Sequence, residues 1–440
     1  MKPGYKMKKN LMFNFLLILF FSSGIFAQDL NFTAQDFRER RDRLCALIPD
    51  GIAILDGEAE TCSYFTGIDA GEVKMILIPP GVAEITPNPA VWKTTLYLPP
   101  KTPQSGVWDD PRTSFGDDTL RLVGIENNAP LSSFFSDVAK LENITDTIYI
   151  SYRETPISGT DLPRDLQFVD TIRKILPSVG IKNLGPMIDK LRWQKSPKEI
   201  EVMRKACEIT DEAFRQAARK TKPDLFEYEL EALINSVFRT NGGRPAFLIL
   251  GSGPNSCVLH HMTNDRRMLK DELMVIDIGI LYRSMSTDLT RTIPTSGRYS
   301  PEQRKIYEIV LEAQKKAISI VKPGVTLADV HKTALEVIEK AGYGKYFIHG
   351  TSHPLNGGNS TNPLTDGLFM PQKLDNRYFA QDNPLAAGSM FTIEPGIYIP
   401  EKNLGVRIED SVLVTENGCE VLTKSAPKET GEIEELMKKK

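Results

Sequence analysis

The sequence predicts a mixed α/β (α+β) chain of two domains, the second built by internal duplication. Three observations carry this expectation. Short apolar strands alternate with helix-like stretches through residues 29–180. Two helix starts with the same signature open at Ser196 and Ser300, each followed by a second helix and then by strands. Four acids, Asp277, Asp288, Glu394 and Glu409, interrupt the apolar, strand-forming runs that follow those helix pairs.

Residues 1–27 read as an export signal. Lys2, Lys6, Lys8 and Lys9 give a positive start, residues 11–21 form an apolar stretch about half the length that spans a bilayer, and the small residues of SSGIFA end at Ala27. Cleavage there places the mature chain in the periplasm or outside the cell, with no stable membrane anchor. It also removes four of the 54 Lys+Arg and none of the 57 Asp+Glu, so the remainder is mildly acidic and argues against a nucleic-acid partner. A hydrophobic content of 41% is ample for globular cores. Cys45, Cys62, Cys207, Cys257 and Cys419 are odd in number and scattered through apolar segments, so buried thiols are expected rather than a disulfide framework.

Residues 28–185 read as an α/β domain. Helices are expected at 33–47 and 165–176, strands at 52–55, 75–78, 96–98 and 148–150, and turns at Pro79-Pro80, Pro87, Pro89 and Pro99-Pro100. The stretch GIKNLGPMIDKLRWQ, residues 180–194, reads as a linker.

Residues 186–440 form the second domain. Ser196 as N-cap, Pro197 at the first helical position and Glu199 closing a capping box start a helix whose Ile200, Met203, Cys207 and Phe214 recur at helical spacing. A second helix follows at 226–240, ended by Gly242-Gly243. The pattern then repeats: Ser300, Pro301 and Gln303 open a helix with Ile306, Ile309, Val310, Ala313 and Ala317 on one face, and another helix covers 327–341. Lys222-Pro223 and Lys322-Pro323 stand at equivalent junctions. A duplicated fold of this kind can deliver carboxylates from both halves into one cleft.

The acids sharpen that idea. Taken singly, Asp277 or Glu394 is an ordinary acid capping a strand end. Four carboxylates set into apolar strands are another matter, because each ionised group loses hydration worth roughly several kcal/mol unless a cation or donor compensates it. Asp277 and Asp288 are separated by the turn Tyr282-Arg283-Ser284, and Glu394 and Glu409 by a turn containing Pro400, Lys402, Asn403 and Gly405. Both are hairpin separations, which can place like charges on one face around a cation. A metal centre with His353 as nitrogen ligand explains all five, and two divalent ions bridged by shared carboxylates fit best. One imidazole among oxygens suits manganese first, with zinc or cobalt as alternatives and iron(II) still open.

The segments ILGSGPNSCVLHH, VIDIG, STDLTRT, FIHGTSHP, TIEPGIYI and VRIEDSVLVT together make residues 190–425 resemble the creatinase, methionine aminopeptidase and proline-peptidase superfamily, whose duplicated fold is called pita-bread. The preceding creatinase-like α/β domain and the segment YFTGI at 64–68 are similar to aminopeptidase P. This resemblance implies that Asp288 and Glu409 bridge two metals, Asp277 binds one, and His353 and Glu394 complete the other, with Glu394 also the general base. It implies that His260 and His349 orient the scissile peptide and stabilise its intermediate. Arg407, two residues before Glu409, is expected to face the same side and support its carboxylate. His261 is expected to flank the site and His331 to be a surface or packing residue.

The implied activity is a metal-dependent Xaa-Pro aminopeptidase acting on peptides with proline at the second position, in a dimeric or tetrameric assembly. A dipeptidase acting on Xaa-Pro is the rival, and a non-catalytic peptide- or partner-binding chain with an altered loop at 355–382 is a second alternative. The family carries another histidine seven residues after the ligand histidine. Here Ser360 stands at that position within LNGGNSTNP, so substrate contacts from this loop are expected to differ.

Overall fold

In the computed structural model the described residues are 31–56, 59–68, 72–84, 94–101, 114–115, 124–125, 127–152, 162–356 and 383–438. The expected export segment 1–27, and Ser360 with the altered loop beyond residue 356, lie outside them.

The first unit runs α1 (Ala34–Leu47), β1 (Ile52–Asp56), α2 (Ala59–Thr66), β2 (Lys74–Leu77), α3 (Pro80–Glu84), β3 (Thr94–Leu98), β4 (Asn127–Pro130), α4 (Phe134–Ala139), β5 (Thr147–Ile150), α5 (Arg164–Ile175), β6 (Gly180–Asn183) and α6 (Gly185–Trp193). Its six strands lie in the order β4-β3-β2-β1-β5-β6. Successive side chains feed two cores, one on each face of the sheet. Ala53, Leu55, Met75, Leu77 and Leu96 pack with Leu44, Phe65 and Ile188, whereas Ile52, Ile54, Ile76, Tyr97 and Ile148 pack with Phe134, Phe168 and Ile172. Burial on both faces is why these strands read as unbroken apolar runs.

The stretch expected to be a linker is instead β6 and α6. β6 bonds in parallel to β5 at the sheet edge. α6 buries Ile188 and Leu191 in the first unit's core, while Trp193 joins the second unit's core and stacks on Phe391 with ring centres 6.2 Å apart. Gly185 and Pro186, which suggested a break, sit in the first turn of the helix, where a missing N–H removes no hydrogen bond.

The second unit starts with α7 (Pro197–Lys220) and α8 (Glu227–Thr240), followed by β7 (Arg244–Ser252), β8 (Leu273–Tyr282), β9 (Met285–Ser286) and β10 (Leu289–Pro294). Then come α9 (Pro301–Ser319), α10 (Leu327–Lys340), β11 (Met390–Ile393), β12 (Gly396–Ile399), β13 (Leu404–Arg407), β14 (Asp410–Val414), β15 (Cys419–Val421) and α11 (Thr430–Lys438). Both expected capping boxes form, Ser196 with Glu199 and Ser300 with Gln303. The two helix pairs and the strands after them bury one continuous core. Arg40 fastens the units together: its guanidinium lies 4.3 Å from the Tyr64 ring centre and pairs with the buried Glu199 at 3.1 Å. Among the described residues no helix is long and apolar enough to cross a membrane.

Candidate metal centre

The strand registers bring the acids together. In the first half β8 and β10 pair with Asp277 opposite Thr290 and Ile278 opposite Leu289, so Asp288, just before β10, falls on the same face as Asp277. In the second half Ile393 pairs with Asp410 between β11 and β14, and Gly396 pairs with Arg407 between β12 and β13. The two ladders share one register, which leaves Glu394 and Glu409 opposite each other in the gap between them. Pro395 helps open that gap, since it has no N–H to give the ladder.

His353 enters from the segment after α10. Its N–H donates to Thr392 Oγ1 (3.1 Å) and its carbonyl accepts the Thr392 N–H (3.0 Å), so it is hung on the strand that leads to Glu394. Nδ1 lies 3.2 Å from the Pro354 carbonyl. A carbonyl can only accept, so Nδ1 carries a proton there, and Nε2 is the ring nitrogen that faces the acids. Nε2 is 3.3 Å from Glu394 Oε1, 3.4 Å from Asp288 Oδ2 and 3.9 Å from Glu409 Oε1. One ligand atom from each of Asp288, His353 and Glu409 lies within 4.8 Å of the others.

Burial raises the carboxyl pKa values of Asp288, Glu394 and Glu409 above the usual range, and for Asp288 and Glu409 the neighbouring acids push in the same direction. Asp277 Oδ1, Asp288 Oδ1 and Glu409 Oε1 are buried with no hydrogen-bond partner among the described residues. Buried carboxylate oxygens are ordinarily satisfied. Three unsatisfied ones beside the His353 ring form an oxygen-rich donor set that fits divalent cations, and a cation offsets the burial and mutual repulsion that raise these carboxyl pKa values.

Arg407 was expected beside Glu409. It instead pairs with Asp277, Nη2 to Oδ2 at 2.5 Å, and reaches Glu409 only through Thr290, whose hydroxyl accepts from Arg407 Nε (3.3 Å) and donates to Glu409 Oε2 (2.6 Å). Both side chains thus meet the same Thr290 hydroxyl, on one side of the strand, as their two-residue spacing predicts. Arg407 Nη1 also donates to the Tyr398 hydroxyl (2.9 Å), which lies 2.9 Å from His349 Nε2. His349 Nδ1 is held by the Gly350 carbonyl at 2.7 Å. Desolvation and then the Arg407 cation lower the imidazolium pKa of both His349 and His260, so both rings are neutral near neutral pH.

His260 lies on the segment joining β7 to β8, and that segment is anchored at several points. The Gly405 N–H donates to Ser256 Oγ (2.8 Å), and a Cβ on Gly405 would overlap the Ser256 carbonyl, which explains the glycine. Glu227, fully buried at the start of α8, accepts from the Ser252 N–H and hydroxyl (2.7 Å each) and the Arg266 N–H (3.1 Å), and lies 3.0 Å from His261 Nε2. His261 is thus a tether for its neighbour. His331 is half-buried and holds Thr351 through Nδ1 at 2.8 Å, and the Thr351 carbonyl accepts the Glu394 N–H (2.8 Å).

Sequence reasoning missed Thr290, Tyr398 and Glu227, and also Arg291 and Asp410. Arg291 is wholly buried; its donors reach Asp410 Oδ1 (2.7 Å) and the carbonyls of Thr290, Glu409, Ala426 and Pro427. Burial alone would raise the Asp410 carboxyl pKa, but Arg291 and Lys428 outweigh it and hold it below the usual range. The available signal was position: Arg291 and Asp410 each sit within three residues of an acid already singled out.

Residues 201–416 match the family model described as metallopeptidase family M24. The chain is 38% identical over 282 residues to the Xaa-Pro dipeptidase of Pyrococcus furiosus, covering 64% of this chain and 77% of that one. It is 29% identical over 451 residues to the Xaa-Pro aminopeptidase of Haemophilus influenzae, covering 92% and 97%. The structure of aminopeptidase P from Escherichia coli with the inhibitor Pro-Leu superposes with a TM-score of 0.77 at 26% identity, over 92% of this chain and 98% of that one.

Proposed function

Because this chain belongs to metallopeptidase family M24, with a pita-bread second half behind an α/β first unit, we propose that it is an exported Xaa-Pro aminopeptidase, hydrolysing the bond between an N-terminal residue and a following proline. The observation that carries this is the cluster of Asp288, Glu394 and Glu409 around His353, with one buried carboxylate oxygen on each of Asp277, Asp288 and Glu409 unpartnered among the described residues. Likeness to an aminopeptidase across 92% of the chain, first unit included, supports the choice of substrate. The higher identity to a dipeptidase over a shorter span keeps Xaa-Pro dipeptides as the second reading.

In this reading Asp277, Asp288, His353, Glu394 and Glu409 hold two divalent cations, manganese first. Bound there, such ions polarise a peptide carbonyl and acidify water. Glu394 is the general base. It accepts the proton of the attacking water as oxygen adds to the carbonyl carbon, then returns it to the proline nitrogen as the C–N bond breaks. Burial has already raised its basicity. His260, neutral on the tethered segment, donates to the carbonyl oxygen as charge builds there. Arg407 fixes Asp277 on one side and Tyr398 with His349 on the other, so these groups need little reorganisation during reaction.

Mass spectrometry of Xaa-Pro-Xaa and Xaa-Pro peptides after incubation with the manganese-loaded protein tests the proposal. Cleavage of the tripeptide alone supports an aminopeptidase, and cleavage of the dipeptide alone selects the second reading. Loss of neither, with manganese bound, would leave a peptide-binding chain. Export rests on the charged and apolar pattern of residues 1–27, and N-terminal sequencing of the secreted or periplasmic protein should begin at Gln28.

A further inference from the structure

The two halves of the second unit are stitched together beside the acids by three clamps, each using a side chain on one half against backbone on the other. Ser411 Oγ donates to the Asp288 carbonyl (2.7 Å) and accepts the Asp288 N–H (3.3 Å). Thr292 forms the second: its hydroxyl donates to the Arg407 carbonyl (2.9 Å) and accepts the Arg407 N–H (3.0 Å). The third is Asn356, whose Oδ1 accepts the Ser286 N–H at 2.6 Å and whose Nδ2 donates to the Ser286 carbonyl at 2.8 Å. That amide does what a neighbouring strand does, meeting donor and acceptor of one residue at once. Its backbone is left-handed, with φ of 52°, a conformation asparagine tolerates better than most residues.

The location gives the clamp its consequence. Asn356 is three residues after His353, and Ser286 is two before Asp288. His353 is otherwise bonded to its own half, through Thr392 of β11. β9 is a two-residue strand at the sheet edge, reached through Arg283 and Ser284, both left-handed, and paired to β8 only at Leu281 and Tyr282. The adjoining Thr287 exchanges two bonds with Ile280 of β8 (3.1 Å each), so these contacts hold β9 within its own half, and Asn356 ties Ser286 to the other. We propose that Asn356 is a positioning residue of the metal centre: by pinning Ser286 it fixes the separation of the His353 and Asp288 ligand atoms, and so the affinity for divalent cations. This rests on the reading of the site as a metal centre, and it adds a residue to which sequence and family resemblance gave no role.

The test uses the full chain, stripped of metal and titrated with Mn²⁺ by calorimetry. Asn356→Gly keeps the left-handed backbone and loses the clamp. Its metal-free melting temperature should stay within a few degrees of the unaltered protein, while Mn²⁺ affinity falls about 10-fold or more, the scale seen when a ligand's supporting partner is removed. Ser286→Ala is the control: the clamp uses Ser286 backbone, so affinity should not change. Normal affinity in Asn356→Gly, with or without a lowered melting temperature, overturns the proposal. Coupling is reciprocal, so hydrogen exchange at the Ser286 amide of the unaltered protein should slow when Mn²⁺ is added. Exchange indifferent to Mn²⁺ would also overturn it, even if the variant did not fold. Failure of the unaltered protein to bind any divalent ion is a separate result, defeating the metal-centre reading itself.

Discussion

Thr290 and Glu409 are joined twice across the seam between the halves: the Thr290 carbonyl accepts the Glu409 N–H at 3.0 Å, and the Thr290 hydroxyl donates to Glu409 Oε2 at 2.6 Å. The backbone bond places the residue and the hydroxyl aims its carboxylate. Thr290→Val keeps the first and removes the second. We expect a loss of about 1–3 kcal/mol in urea denaturation and roughly 10-fold weaker Mn²⁺ binding. Unchanged metal affinity would show that Glu409 is aimed by something else.

Glu394→Gln separates chemistry from folding. The amide keeps the shape of the side chain but cannot take a proton, so turnover should fall by at least about 10²-fold. Removing one of several buried like charges should leave the metal-free melting temperature equal or higher. Retained turnover would remove Glu394 as the base.

Metal dependence of stability should itself depend on pH. Asp288, Glu394 and Glu409 have raised carboxyl pKa values in the folded, metal-free protein. The folded state then holds protons that the unfolded state has released, so the slope of unfolding free energy with pH is negative. Their contribution is fully present below the unfolded carboxyl pKa of about 4 and is lost as pH rises through the raised values. A cation relieves the same repulsion, so the rise in melting temperature on adding Mn²⁺ after chelation should be larger at pH 8 than at pH 5. Equal shifts at both would contradict this.

Arg407→Met leaves Asp277 buried and without its cationic partner. A broken buried pair of this kind costs about 3–5 kcal/mol, measurable by urea titration of the metal-free protein. Part of that loss should return when Mn²⁺ is added. Equal loss with and without metal would mean that Asp277 does not face the cations.

The parts of the fold that follow local rules were legible. The capping boxes at Ser196 and Ser300, the paired helices and the apolar strands are each written in a few neighbouring residues, and acids in apolar runs announced the cluster. What escaped depends on distant partners. Arg291 and Asp410 look like surface charges until the fold folds one onto the other, and Glu227 reads as a helix-start acid although its carboxylate gathers a segment some 25 to 39 residues away. Arg407 faces the side that its spacing from Glu409 predicts, but its direct partner is Asp277, on a strand 130 residues earlier that spacing could not reveal. Asn356 could not be read at all, since its partner Ser286 lies in the other half.

Trp193 and Ile188, two turns or fewer apart on α6, are buried in different cores. Neither unit can melt without stripping apolar cover from that helix, so heat should take the whole molecule apart in a single calorimetric transition. The second half is accordingly a lodger in a shared building: severing the chain near residue 185 would cut the party wall, exposing Ile188 and Leu191, whose cover lies in the first unit.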